Sequence, residues 1–217
     1  MALSKETIQN LRQEYKAATL SEKSVAPDPI SQFSNWFAEA MDAGIFEPNA
    51  MTLATSTPDG KPSIRVMLLK GFDKNGFTFY TNYLSRKGKE ISRNPNGAIL
   101  FFWGELERQV RIEGVLEKVS KEESEQYFHV RPVQSQLGAI VSQQSQEIQS
   151  KQLLLDKLQK LEKEYQGKEI PKPSHWGGYI LKPQVVEFWQ GGEARLHDRI
   201  VYKKADKNNW KIVRLAP

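Results

Sequence analysis

The chain has 217 residues, 39% hydrophobic and 26% charged, enough apolar mass for one core or two small lobes and too much for wholesale disorder. It has no cysteine, which excludes a disulfide framework, thiol chemistry and any cysteine-ligated metal. A net charge of +5 is compatible with a solvated basic surface or weak nucleic-acid affinity, but the cations recur in short clusters inside apolar, strand-like segments, which suits small anionic ligands better.

The opening MALSKETIQNLRQEYK lacks the apolar stretch of a signal peptide. No apolar run approaches the roughly 20 residues of a membrane-spanning helix, so a cytoplasmic protein is expected. Residues 4–17 read as a helix. A loop then closes on Pro27-Asp28-Pro29, where Asp28 is placed as N-cap and Pro29 as first residue of a helix through ISQFSNWFAEAMDAG. Phe33, Trp36, Phe37 and Ala40 share one face of it, and Gly44 ends it. AMTLATST, the Pro58-Asp59-Gly60 turn and SIRVMLLK read as strand, turn, strand. A second turn at 72–76 leads into the strand GFTFYTN, and SRKGKEISRNP is a short helix stopped by Pro95. AILFFW and RQVRIEGVLEKV are further strands. Ser120-Lys121-Glu122-Glu123 is a capping box opening a helix that stops at Arg131-Pro132. Residues 145–165 are strongly helical, and GGYILKPQVVEFWQ, RLHDRIVYKK and NNWKIVRL close the chain as strands. Six or more strands joined by hairpin turns, with no βαβ alternation, point to a mostly antiparallel β-barrel with flanking helices.

Several of these segments carry chemistry. Arg65 lies in an apolar strand and needs an anion, either a ligand or a carboxylate of the chain itself. Arg65 and Lys70 are an odd interval apart and face opposite sides unless a bulge intervenes. Ser85, Arg86 and Lys87 open a helix after a strand, a ready phosphate site, although such a triplet is also ordinary surface. Tyr127, Arg131 and Ser135 recur at intervals of four, with Pro132 breaking the helix between them. A phenol, a guanidinium and a hydroxyl can hold a second phosphate, while a core tyrosine and a helix-terminal cation explain the first two equally well. His129, His175 and His197 have no ligand spacing, so no metal is expected. Neither a GxGxxG nor a GxSxG segment is present, and reactivity is better supplied by a bound organic cofactor. On a strand, RLHDR would turn Arg195, His197 and Arg199 to one face, beside Trp189, where an anionic or flat electron-rich group would lie against them.

These segments together resemble the pyridoxine/pyridoxamine 5′-phosphate oxidase family. The likeness rests on RVMLLK (65–70), FYTN (79–82), SRK (85–87), ERQVRIEG (107–114), YFHVRPVQSQLGA (127–139), WGGYILKPQVVEFWQGGEARLHDR (176–199) and WKIVRLAP (210–217). It implies an FMN-binding split β-barrel over residues 28–217, a flexible arm over 1–27, and a homodimer with active sites at the subunit interface. It implies oxidation of pyridoxamine or pyridoxine 5′-phosphate to pyridoxal 5′-phosphate, O2 becoming H2O2, by hydride transfer from substrate C4′ to flavin N5. By family pattern FMN is held by Arg65, Val66, Met67, Leu68, Leu69, Lys70, Tyr80, Thr81, Arg86, Lys87, Gln109, Gln144, Ser145, Trp189 and Arg199. The substrate is held by Lys70, Tyr127, Arg131 and Ser135, with Arg195 and His197 against its ring and Arg12 to Tyr15 as a lid. Ile140 departs from the pattern, standing where many members have tryptophan. The alternatives are a related flavin oxidase acting on another substrate, such as a phenazine precursor, a non-catalytic pyridoxal-phosphate carrier, and a nucleic-acid-binding barrel.

Overall fold

The computed structural model describes residues 5–11, 14–206 and 209–217. The described chain has six helices and nine strands: α1 (Lys5–Gln9), α2 (Pro29–Asp42), β1 (Ala50–Ser56), β2 (Pro62–Leu68), β3 (Gly71–Asp73), β4 (Gly76–Asn82), α3 (Arg86–Arg93), β5 (Asn96–Trp103), β6 (Arg108–Lys118), α4 (Lys121–Val130), α5 (Val133–Val141), α6 (Lys151–Glu164), β7 (Trp176–Gln190), β8 (Asp198–Lys204) and β9 (Trp210–Arg214). The strands hydrogen-bond in the order β2-β1-β5-β6-β7-β4-β3, with β8 on β7 and β9 on β8. The pairings β1–β2, β3–β4, β4–β7, β7–β8 and β8–β9 are antiparallel, as hairpin grammar requires. The fold is thus the mostly antiparallel sheet with flanking helices expected from the sequence.

The chain forms two compact units. One takes the chain up to Pro48, Leu100–Ile112 and Val185–Pro217; the other takes Asn49–Ile99 and Glu113–Gln184. In the first, Asp28 caps α2 by accepting from the Ile30 and Ser31 amides at 3.0 and 2.9 Å. The buried face of α2, Phe33, Trp36 and Ala40, packs on strand aromatics: Phe33 lies 5.0 Å from Phe101 and Trp36 lies 5.2 Å from Phe188, centroid to centroid. The buried Tyr202 hydroxyl is satisfied by the Ala26 carbonyl at 2.6 Å.

In the second unit β1 alternates buried and half-buried residues, and Met51, Leu53, Phe77, Phe79, Ile99 and Leu181 form the interior. A satellite cluster of Phe128, Leu137, Ile170 and Trp176 binds α4, α5 and α6. Ile140 packs against it, so the smaller side chain is used as helix packing.

Two helix expectations need correction. The first helix ends at Gln9, and residues 14–17 are not helical, because the Lys16 and Ala17 amides donate to the Glu107 carboxylate at 2.8 and 2.9 Å instead of to helical carbonyls. The helix expected over 145–165 begins only at Lys151. Ser145 has φ +71°, a left-handed backbone that a helix cannot continue through.

Candidate active site

Strand β4 delivers Tyr80, Thr81 and Asn82 to the start of α3. Ser85 ties the junction by donating to the Asn82 carbonyl at 2.7 Å and accepting from the Gly88 amide at 3.3 Å. The helix seats this close because position 88 is glycine: a Cβ there would lie 2.2 Å from the Tyr83 carbonyl oxygen. Lys87 is thereby buried, and its ammonium donates to two neutral oxygens, Thr81 Oγ1 at 3.1 Å and Gln144 Oε1 at 3.3 Å. Burial, and then the Arg65 charge, pull its pKa down to about 8, against an opposing pull from Glu90.

Arg65 takes the chain-internal option. Its guanidinium donates to Leu53 O, Thr55 Oγ1 and Ser63 Oγ and lies 3.4 Å from Glu90 Oε2. Glu90 is 5% exposed and also receives Arg86 Nε at 2.9 Å. Burial raises its pKa, but hydrogen bonds from Ser63, Thr55 and Arg86 outweigh that and hold the carboxyl at about 2. Arg86 and Ser145 line a separate cavity of about 390 Å³ with Lys89, Glu90 and Arg93.

Tyr80, Tyr127 and Trp176 form an aromatic stack, with centroids 3.9 Å apart for the tyrosine pair and 5.4 Å for Tyr80–Trp176. The Arg131 guanidinium lies 4.6 Å over the Trp176 ring, and its Nη2 donates to Ser135 O at 2.7 Å. Among the described residues, Arg131 Nη1 is the one buried side-chain nitrogen or oxygen left without a partner. A cavity of about 310 Å³ runs along Thr81, Gln144, Ser142 and Arg131, and one of about 380 Å³ along Lys70, Tyr127 and Pro132. They share Met67, Tyr80, Arg131, Ser135 and Trp176. Within the 65–70 run, Met67, Leu68 and Lys70 therefore line cavities, whereas Leu69 is core and Val66 points to solvent. Burial, and then the Glu123 carboxylate, push the Tyr80 phenol well above its usual range, so it stays a neutral donor.

The other unit gathers Tyr15, Trp189 and His197. The Tyr15 ring is edge-on to Trp189 at 5.7 Å and to His197 at 5.6 Å, and the Trp189 and His197 centroids are 4.7 Å apart. Here the strand premise fails: β8 starts only at Asp198, and Glu193–Arg195 is a 3-10 turn with Ala194 at φ +51° and Arg195 at φ +61°. The alternation that put Arg195, His197 and Arg199 on one strand face does not hold, because the Gly192 amide turns back to His197 Nδ1 at 3.1 Å. An amide can only donate, so Nδ1 accepts, and a neutral ring carries its proton on Nε2. Arg195 is exposed in the turn and Gln109 is half-buried on β6. Arg199 is engaged within the chain: Nε and Nη2 grip Glu187 at 2.8 and 3.1 Å, and Nη1 donates to Ala216 O at 2.9 Å. Arg12 lies outside the described residues.

Three contributors were not singled out from sequence: Glu90, Trp176 and Glu187. Glu90 stands four residues after Arg86, the helical ion-pair spacing. Arg199 is in register with Trp189, so Glu187, two residues away on β7, is its diagonal same-face neighbour. Trp176 lay inside a resemblance segment, but nothing in its spacing marks a ring beneath an arginine.

Residues 37–164 match the family described as "Pyridoxamine 5'-phosphate oxidase", and 176–217 match "Pyridoxine 5'-phosphate oxidase C-terminal dimerisation region". A protein of Rubrobacter xylanophilus named pyridoxine/pyridoxamine 5′-phosphate oxidase is 55% identical over 95% of each chain. One of the same name from Cupriavidus metallidurans is 52% identical over 96% of this chain and 98% of its own. Among solved structures, PhzG from Burkholderia lata 383, in complex with tetrahydrophenazine-1-carboxylic acid, superposes with a TM-score of 0.88 at 31% identity, covering 94% of this chain and all of its own. With a family match across more than half its length and relatives above 50% identity over nearly all of it, the chain belongs to the pyridoxamine 5′-phosphate oxidase family.

Proposed function

We propose that the protein is an FMN-dependent oxidase that converts pyridoxine 5′-phosphate and pyridoxamine 5′-phosphate to pyridoxal 5′-phosphate, with O2 reduced to H2O2. The observation that carries this is a pair of cations hydrogen-bonded to no carboxylate: the buried Lys87, which meets neutral oxygens, and the half-buried Arg131, whose Nη1 is buried and meets nothing. A buried cation of that kind is costly unless an anion joins it. Flavin mononucleotide and a phosphorylated B6 vitamer bring one phosphate each, and the donor set fits both. Lys87, Thr81 and Gln144 would hold the FMN phosphate, whereas Arg86, already paired with Glu90, and Ser145 line a separate cavity. Lys70, Tyr127, Arg131 and Ser135 would hold the substrate phosphate.

FMN, when bound, supplies a two-electron acceptor that O2 restores. The chain's residues bind and orient. Trp176 and the Ser135 carbonyl fix the Arg131 fork before substrate arrives, so less ordering is left to binding. His197, held through Nδ1, presents Nε2–H as a donor to the substrate ring, and Arg195 stabilises negative charge developing on it. Tyr15 covers the same face. The role of general base is left unassigned.

A homodimer with sites at the subunit interface accords with the matched dimerisation region, and with Ile64 and Val66, 71% and 69% exposed on β2 at the end of the strand order. Among the described residues no helix is long and apolar enough to cross a membrane, in keeping with action in the cytoplasm. The likeness to PhzG favours a second reading, a flavin oxidase acting on a different substrate. The residues for the substrate phosphate and the higher identity to the B6 oxidases weigh against it.

The test is the visible spectrum of FMN-reconstituted protein, taken anaerobically before and after pyridoxine 5′-phosphate. Bleaching of the flavin band, and its return on admitting air, is the expected result. Flavin that binds but stays oxidised with both vitamers would shift the assignment to the second reading, and a protein that takes up no flavin would refute both.

A further inference from the structure

The chain preceding α2 is held to the body by a carboxylate that no role yet covers. Glu107 Oε2 accepts the Lys16 amide at 2.8 Å and the Ala17 amide at 2.9 Å, across some ninety residues of sequence. Both contacts are to backbone, so they fix the path of the arm whatever side chains it carries. Glu107 is itself rigidly held. It follows the 3-10 turn between β5 and β6 in a left-handed conformation, φ +54° and ψ +41°. Its amide donates to Gly104 O at 3.0 Å, and its carbonyl receives the Gly191 amide at 2.8 Å and Gln190 Nε2 at 3.3 Å. Further along the arm, the Leu20 amide donates to Asp198 Oδ2 at 2.8 Å.

What this anchorage sets is the place of Tyr15, one residue before the first latched amide. Its ring stands edge-on to Trp189 and His197. The floor beneath it is Gly191, and a Cβ there would come within 2.8 Å of Tyr15 Cβ and Cγ and 3.0 Å of Glu107 Cβ. The bare glycine and the carboxylate therefore serve one seat together.

We propose that Glu107 is a positioning residue for substrate retention: it latches the N-terminal arm by two backbone N–H groups and so holds Tyr15 over the Trp189–His197 face. This rests on the oxidase function proposed above, with Tyr15 as substrate cover. Losing the latch frees the arm without touching the residues that would hold either phosphate. Substrate capture then weakens, while turnover of captured substrate changes little.

The experiment uses the full-length FMN-loaded protein and three variants: Glu107→Ala, Glu107→Gln and Gly191→Ala. For Glu107→Ala the KM for pyridoxine 5′-phosphate is expected to rise roughly tenfold, as for the loss of one or two exposed charge-assisted hydrogen bonds. The kcat should stay within about twofold, with FMN affinity and Tm unchanged. Glu107→Gln keeps an acceptor oxygen and should recover most of the KM, and Gly191→Ala should raise KM with the carboxylate intact. A readout independent of activity is trypsin cleavage of the Lys16–Ala17 bond, whose own N–H is latched. Cleavage there, followed by mass, should accelerate in Glu107→Ala and Gly191→Ala. Wild-type KM and cleavage rate in Glu107→Ala would overturn the latch, as would a KM rise matched by equal losses of FMN affinity and Tm. If wild-type protein turns over no B6 phosphate, the oxidase function fails, yet the cleavage rates still decide the latch.

Discussion

Arg131→Met tests the proposed substrate phosphate site. Methionine keeps an apolar cover on Trp176, where the guanidinium now lies 4.6 Å from the ring centroid, but removes every donor. Arg131 Nη1 is buried and unpartnered, so a bound phosphate gains at least one charge-assisted hydrogen bond there. Such a bond contributes about 1.5–3 kcal/mol, or roughly 10- to 150-fold in affinity at about 1.4 kcal/mol per tenfold. Steady-state kinetics with pyridoxine 5′-phosphate should show KM or kcat/KM worsened within that range. Dephosphorylated pyridoxine, however poor a substrate, should not distinguish variant from wild type. FMN affinity, measured by quenching of flavin fluorescence on titrating apoprotein, should be unchanged, because Lys87 is placed by Thr81 and Gln144 and makes no bond to Arg131. Burial already lowers the pKa of Arg131, the mark of a disfavoured charge, so the ligand-free variant should lose no more than about 1 kcal/mol of stability. An unchanged KM, or a parallel loss of FMN, would refute the separation of the two phosphate sites.

Three other outcomes follow from the same geometry. Lys87, at about 8 in the folded protein and about 10.4 unfolded, is neutral in the fold while still charged in the unfolded chain between those values, so apoprotein stability should rise with pH across that window. A phosphate dianion favours the protonated form, so the FMN dissociation constant should be flat below about pH 8 and weaken by up to about tenfold per unit above it, a slope that Lys87→Met should lack. Glu90→Ala strips the half-buried Arg65 of its anion, a loss of about 3–5 kcal/mol and roughly 6 °C or more in Tm. Because the Glu90 carboxyl is depressed to about 2 from an ordinary 4.5, the Tm gap to wild type should be complete above about pH 4.5 and close as pH falls toward 2. Gly88→Ala drives a Cβ to 2.2 Å from the Tyr83 carbonyl; it should lower Tm and FMN affinity together, and a variant that loses neither would show that α3 can shift without consequence.

Local chemistry made much of the fold legible. Asp28-Pro29 and Ser120 mark helix starts through side chains that meet nearby amides, and strand alternation is written in β1. What stayed hidden depends on distant partners. The arm after Gln9 has helical composition, but Glu107 claims its amides from ninety residues away. RLHDR has strand alternation, but Ala194 and Arg195 take left-handed conformations that no pattern of side-chain types announces. Lys70, Tyr127, Arg131 and Ser135 were named from their motif and do line one cavity. The fate of Arg65 was not decidable, since a strand arginine looks the same whether its anion is a ligand or, as here, Glu90.

That last distinction separates the structural cations from those available to a ligand. Arg65 and Arg86 share Glu90, Arg111 and Arg199 share Glu187, Arg108 pairs with Glu39, and Arg214 is held by Glu22 and Asp198. Each carries a carboxylate from its own chain, so a ligand's anion would gain little by displacing it. Of the described cations with buried donor atoms, Lys87 and Arg131 are the two placed by neutral groups: burial outweighs the opposing pulls and lowers both pKa values, and each sits on the wall of a cavity or directly behind it. A phosphate bound there would supply what the fold withheld, and the field it met would already be oriented. By the same criterion Arg199 would act toward a flavin only as a fixed charge, since Glu187 and the Ala216 carbonyl already occupy its Nε, Nη1 and Nη2. Arg199→Lys should therefore disturb packing against Glu187, read as a fall in Tm, before it disturbs FMN affinity; the reverse order would place Arg199 among the ligand-binding cations instead.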